Sequence, residues 1–158
     1  MAQLDYTLEV VGVEGESKRN TKHIDLTGWS FGARNDGTFA YGSGGGKGKA
    51  YLNDLTVSAI TSKATAKLLD LCTTGTHITS VKLHGYRAGG TQEEIVTIEL
   101  TNSLVSTIEV GGANGSEPTD HVAFNFEQIK VTTKAQRDDG APGGVITTNW
   151  NVAKAAKS

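Results

Sequence analysis

Four patterns in the sequence have residue types and spacings that could do chemistry. Gly28-Trp29-Ser30-Phe31-Gly32 spells G-x-S-x-G. In hydrolases that motif works because a sharp strand-to-helix turn lifts the serine above a parallel sheet. Here a polar, glycine-rich stretch follows, with no alternation of strand and helix around it. His77, His84 and His121 lie downstream, with Asp54 and Asp70 available as acids, so a small serine hydrolase using Ser30 stands as an alternative of a different class. The favoured reading is a small residue in a strand, flanked by packing aromatics. The run Gly42-Ser43-Gly44-Gly45-Gly46-Lys47-Gly48-Lys49 suggests a phosphate loop, but Ser43 and Ala50 stand where a Walker loop needs glycine and a hydroxyl. A flexible loop whose lysines meet a partner fits better.

The remaining chemistry is thinner. The four histidines read as isolated, and His77 and His84, seven apart on one candidate strand, face opposite sides and cannot chelate together. Glu93-Glu94 opens a strand, where neighbours point apart, so it reads as a solvated edge rather than an acid/base couple. Cys72 falls on the apolar face of a helix, as a small core residue does. Asn114-Gly115-Ser116 is a glycosylation sequon, idle without a secretory route. No catalytic, cofactor-binding or metal-ligating set emerges, so no enzyme and no cofactor are expected.

The elements that would position these residues are mostly strands. Leu4, Tyr6, Leu8 and Val10 alternate with Asp5, Thr7 and Glu9. From Ile24 to Phe31 the apolar phase moves from even to odd positions, which predicts a bend or bulge near Gly28. Residues 33–49 read as a long loop, and Tyr51 to Ile60 as one strand with Tyr51, Leu55, Val57 and Ala59 in phase. A helix capped by Ser62 places Ala64, Leu68 and Leu71/Cys72 on one face and stops at Gly75. Strands over roughly 77–88, 93–110, 121–134 and 145–152 follow, with a second bulge expected near Glu127-Gln128.

Composition bounds the function. The chain has 158 residues, 20 glycines, 2 prolines, 37% hydrophobic residues and a net charge of −2. That length suits one domain, 1–158. The near-neutral balance argues against nucleic-acid binding, and no apolar run reaches the roughly 20 residues of a membrane span. A single cysteine excludes an intrachain disulfide and suggests a reducing compartment. The first residues carry no basic and apolar leader, so synthesis in the cytoplasm without a signal peptide is expected. Many short strands with one helix predict a mainly β fold, a small barrel or two-sheet sandwich with the helix alongside. Glycine-rich loops at 12–20, 33–49 and 111–120, together with sheet edges that must be covered, hint at copies pairing side by side into a ring.

The residues also carry a resemblance. Gly12-Val13-Glu14-Gly15-Glu16-Ser17, Ile24-Asp25-Leu26 leading to Trp29-Ser30-Phe31, and Gly42–Lys49 come first. Leu71-Cys72-Thr73-Thr74-Gly75-Thr76-His77, Tyr86-Arg87-Ala88-Gly89-Gly90, Leu104-Val105-Ser106-Thr107-Ile108, Asn125-Phe126 and Trp150-Asn151-Val152 follow in the same order. As an ordered set they resemble the haemolysin-coregulated protein (Hcp) family, the inner-tube subunit of the bacterial type VI secretion system. The family often has Trp-Ser-Trp where this chain ends the triplet in Phe31.

The resemblance implies hexameric rings that stack into a tube inside a contractile sheath. A trimeric spike tips the tube, and small effector proteins ride in the lumen. It implies a structural protein, secreted through the type VI apparatus. Ser30 matches the position that faces the lumen and touches cargo. The segment containing Phe39, Tyr41, Gly44, Gly45, Gly46, Lys47 and Lys49 matches the extension that reaches neighbouring subunits or rings. The loops carrying Glu14, Glu16, Gly111 and Gly112 should lie at ring faces. The tube protein of a phage tail or related contractile particle is the near alternative.

Overall fold

The computed structural model describes residues 4–37, 49–87, 93–136 and 142–157. Ten strands and one helix appear among them: β1 (Leu4–Val10), β2 (Ile24–Leu26), β3 (Gly28–Ser30), β4 (Ala33–Asn35), β5 (Ala50–Leu52), β6 (Leu55–Ile60), α1 (Ala64–Thr74), β7 (Ile78–Arg87), β8 (Glu94–Gly111), β9 (Thr119–Gln136) and β10 (Pro142–Asn151). The main sheet runs β2-β1-β7-β8-β9-β6-β3, every pairing antiparallel. Its two end strands, β2 and β3, are consecutive in sequence. The sheet therefore curls until its ends meet at Thr27, whose N–H donates to Ser58 O at 2.8 Å. This nearly closed barrel is the expected mainly β fold.

The phase switch at Gly28 is the closure itself. No residue is inserted into a continuous strand. Instead the chain leaves its partner β1 after Leu26 and joins β6 at Gly28. Leu8, Val10, Leu55, Val57, Leu83, Ile98, Leu100 and Phe124 fill the interior. Burying each such side chain contributes roughly 1.5–3 kcal/mol.

The second phase change also has a different cause from the expected bulge. β8 and β9 both switch faces at one level, Ile98 and Leu100 giving way to Ser103 and Val105, and Phe126 to Ile129. The register is the same on either side, Thr101 opposite Gln128 and Ser103 opposite Phe126. The pair of strands bends as a unit, with Asn102 at φ 50° and its Nδ2 donating to Glu127 Oε2 at 2.9 Å. The inserted residue lies further along, at Ser106 on β8, where the register shifts.

Two other expectations need correction. The long loop 33–49 contains a strand, since β4 pairs with β5 in a separate ribbon. The strand read from Tyr51 to Ile60 is broken at Asn53-Asp54, so Tyr51 falls out of phase with Leu55 and stays exposed. The guanidinium of Arg34 lies 4.5 Å from its ring centre.

The helix follows its sequence signals. Ser62 Oγ accepts from the Ala64 N–H at 3.2 Å, and the Ser62 N–H donates to Thr65 Oγ1 at 3.1 Å, a reciprocal cap around Lys63. Gly75 takes the left-handed conformation (φ 64°) that ends the helix. Ala64, Leu68 and Leu71 are buried, and Cys72 packs partly buried beside them. Asp120, only 3% exposed, accepts from Thr61 Oγ1 at 2.6 Å and Thr65 Oγ1 at 2.5 Å, and so ties the helix start to β9.

Candidate functional site

Ser30 ends β3 and is exposed. The ladder sets it opposite Thr56, which faces Ala123, which faces Thr107. The next row reads Gly28, Ser58, His121 and Glu109. Alternation along each strand puts Leu55, Val57, Val122 and Phe124 inward, so these rows form the outer face. Small polar groups dominate it. Asp54 stitches it together, accepting from Ser106 Oγ at 2.6 Å and from Asn125 Nδ2 at 2.9 Å. Asp54 is thus committed to structure and does not serve Ser30.

The serine–histidine contact on this face belongs to Ser58, whose Oγ lies 2.9 Å from His121 Nδ1. No hydrogen bond joins Ser30 to a histidine among the described residues, so the arrangement that a hydrolase at Ser30 needs is missing there. Sequence reading overlooked Ser58 and His121 as neighbours. Their pairing depends on the β6–β9 register, which no local motif encodes.

The other predicted positions are scattered. Phe39, Tyr41, Gly44, Gly45, Gly46 and Lys47 lie outside the described residues. Lys49 is exposed, its Nζ 5.5 Å from the Tyr51 ring centre. Glu14 is exposed and within 3.9 Å of Lys63 Nζ. Glu16 is exposed in the same loop. Gly111 closes β8 opposite Thr119, and Gly112 begins the turn towards β9.

A second polar cluster contradicts the reading of the histidines as isolated. Thr7 pairs with His84 across the β1–β7 ladder, and the loop between β1 and β2 folds back over that face. Thr7 is consequently only 1% exposed although it points away from the core. His23 and His84 lie with ring centres 5.3 Å apart and planes within 6°. Tyr86 stacks on His84 at 6.0 Å, and the Arg19 guanidinium sits 4.5 Å from the Tyr86 ring centre while pairing with Asp5 at 3.0 Å.

Glu9 Oε2 lies 3.3 Å from His84 Nε2 and 3.6 Å from His23 Nε2. Glu94, expected at a solvated edge, instead sits 2.6 Å from His84 Nδ1 and accepts from Thr97 Oγ1 at 2.5 Å. Burial and the neighbouring His84 charge hold the His23 imidazole below its usual value, against the pull of Glu9 and Asp25. Burial alone would raise Glu94, but the Thr97 hydroxyl and His84 outweigh it and hold the carboxyl low. Burial and Glu94 push the Tyr86 phenol up.

With this geometry in view, relatives place the chain. A sequence model described as type VI secretion system effector, Hcp, matches residues 7–133, which puts the protein among the components of that secretion machine. Protein hcp1 of Pseudomonas aeruginosa is 36% identical over 154 residues, covering 94% of this chain and 95% of the relative. The chain belongs to the Hcp family, a family of structural secreted proteins that associate into rings and tubes. A solved type six secretion system protein superposes with a TM-score of 0.92 at 25% identity, covering 99% of this chain and all of the other. Hcp1 from Salmonella typhimurium gives 0.82 at 22% identity over the full length of both, a likeness of fold. Among the described residues, no helix is long and apolar enough to cross a membrane.

Proposed function

We propose that this chain is the repeating subunit of a type VI secretion inner tube. Six copies close into a ring, rings stack, a contractile sheath drives the tube behind a trimeric spike, and small effector proteins travel in the lumen. The protein is made in the cytoplasm, leaves through that apparatus and catalyses no reaction. The observation that carries the self-association is β10. Among the described residues β9 is the one strand it pairs with, Ala156 bridging only its last residue Asn151, and its adjacent Val145 and Ile146 are 57% and 70% exposed. Adjacent strand residues point to opposite faces, so both faces of an open strand present bare aliphatic side chains. A neighbouring copy that covers this edge removes the liability.

The outer face bearing Ser30, Thr56, Ala123 and Asn125 is the proposed lumen wall. Its groups are mostly small and polar, with Leu104 opposite Asn125 as an apolar exception, which suits cargo that must be held weakly and released. The loops with Glu14, Glu16, Gly111 and Gly112, and the segment from Phe39 to Lys49, are the proposed contacts between subunits or rings.

Light scattering and negative-stain microscopy of the purified chain test the reading. Sixfold rings are expected, and Ile146→Glu should yield folded monomers. A wild-type chain that stays monomeric at high concentration would overturn it. Loss of ester hydrolysis in Ser30→Ala, were any hydrolysis present, would favour the hydrolase instead.

A further inference from the structure

Away from the proposed lumen wall, the described residues bring one set of metal-type donors together. Glu9, His23 and His84 each offer a ligand atom within 4.8 Å of the other two. Bonds of about 2.0–2.1 Å at the tetrahedral angle set neighbouring ligand atoms roughly 3.3–3.4 Å apart. The two measured separations, 3.3 Å from Glu9 Oε2 to His84 Nε2 and 3.6 Å to His23 Nε2, stand at that spacing or just above it.

The far nitrogens are already engaged. Glu94 Oε1 takes the Nδ1 side of His84, and Glu94 is itself fixed by Thr97. Thr7 Oγ1 lies 3.1 Å from His23 Nδ1, while Asn20 Nδ2 lies 3.4 Å from the near nitrogen, His23 Nε2, a contact that a bound metal would displace. A carboxylate on one imidazole nitrogen selects the tautomer whose other nitrogen carries a lone pair, the arrangement typical of histidines that bind metals. Both Nε2 atoms face the same carboxylate oxygen of Glu9, so a metal that takes the place of a proton there would meet all three donors.

We propose that Glu9, His23 and His84 form a zinc-class divalent metal site with three protein ligands and a fourth position open to solvent beside the half-exposed Glu9. Two imidazoles and one carboxylate suit such an ion better than calcium or magnesium, which prefer all-oxygen shells. Glu94 and Thr7 orient the ligands. The two rings are nearly parallel, so one must swing as it closes on the metal. His23 is the one that swings, since its contact to Thr7 is longer than the contact of His84 to Glu94. The site joins β1, β7 and the residue just before β2, so a bound ion clips the intervening loop to the barrel. All three ligands come from one protomer, so the site does not depend on the tube reading.

The test is calorimetric titration of the chelator-stripped full-length chain with zinc chloride, paired with cobalt absorption and melting curves. One equivalent per protomer, saturating at micromolar zinc, with a tetrahedral cobalt spectrum and a melting temperature that climbs with zinc, is expected. Glu9→Gln changes the most exposed of the three ligands and should abolish the cobalt spectrum. Glu94→Gln should weaken binding by roughly 10–100-fold, as loss of an orienting carboxylate does. The double variant His77→Gln with His121→Gln should bind as wild type does. No saturable uptake, or uptake unchanged in Glu9→Gln combined with His84→Gln, overturns the proposal, and so does loss of binding in the His77/His121 variant. In those cases the cluster holds protons only.

Discussion

Replacing Gly15 with alanine tests how the β1–β2 loop is seated. A Cβ built on Gly15 would lie 1.9 Å from His23 O, 2.5 Å from its carbonyl carbon and 2.8 Å from Ile24 N. All three are backbone atoms, so no side chain can swing aside. Ordinary contact begins near 3.4 Å, so the two segments must part by about 1.5 Å, the difference between 3.4 and 1.9. That displacement breaks the Ser17 N–H bond to His23 O, now 3.1 Å, and lifts the loop from Val13, which is 4% exposed.

Losing the hydrogen bond costs roughly 1 kcal/mol, and partial exposure of Val13 adds about 1–3 kcal/mol. A total of about 2–4 kcal/mol corresponds to a fall of roughly 5–15 °C in melting temperature for a chain of this size. Gly28→Ala is the matched control, because a Cβ there meets nothing within 4 Å. Both variants are melted at one protomer concentration, since self-association raises apparent stability by mass action. Gly15→Ala should also speed trypsin cleavage after Lys18 and Lys22 while β6–β9 stays protected. Equal melting temperatures for Gly15→Ala and Gly28→Ala would refute the reasoning.

Further predictions follow from single contacts. Asn102→Ala should destabilise by about 1–2 kcal/mol in urea titrations, because alanine is strained at φ 50° and leaves Glu127 without its amide, whereas Asn102→Gly should recover most of the strain term. Asp120→Ala leaves the Thr61 and Thr65 hydroxyls without their acceptor and should cost roughly 2–4 kcal/mol, visible as lost helical circular dichroism at lower denaturant. Ser30→Glu should shift stability by less than about 0.5 kcal/mol and leave rings intact while reducing retention of co-purifying effectors; unchanged retention counts against the lumen assignment. Leu100→Ala, at a position with 0% exposure, should cost about 2–5 kcal/mol by equilibrium unfolding.

The parts of this fold that were legible in the sequence share a local cause. Leu55, Val57 and Ala59 declare a half-buried strand by their period of two, and Ser62 and Gly75 bracket the helix through backbone hydrogen bonds made within a few residues. The proposed lumen role of Ser30 rests on an ordered set of family-like segments, and the structure places that residue exposed at the end of β3. What stayed hidden is set by register between distant strands. Glu9, His23 and His84 are each unremarkable alone, and they converge because Thr7 happens to pair with His84 while the following loop folds back on the same face. His84 reads as isolated because its spacing to His77 puts the two on opposite faces, whereas its actual partners come from β1, β8 and the loop before β2.

The two phase switches show why pattern and cause must be separated. Both looked like single inserted residues, since one insertion flips a strand's face. At Thr27 the flip arises because the chain changes partner, from β1 at Leu26 to β6 at Gly28, and that change brings the two end strands of the seven-strand order together. At Asn102 and Glu127 two paired strands flip together, which a bulge in one of them could not achieve without shifting the register. The paired flip divides β9 in two: before the corner, residues 119–124 pair with β6, and beyond it, from Gln128 on, β10 takes that side instead. The corner therefore carries the exposed Val145–Ile146 edge away from the closed ring of strands and leaves it open to a second copy. Straightening the corner should impair assembly more than it impairs folding, and Asn102→Ala tests this by comparing ring yield with unfolding free energy in the same preparation. A loss of rings no larger than the loss of stability predicts would separate the corner from assembly.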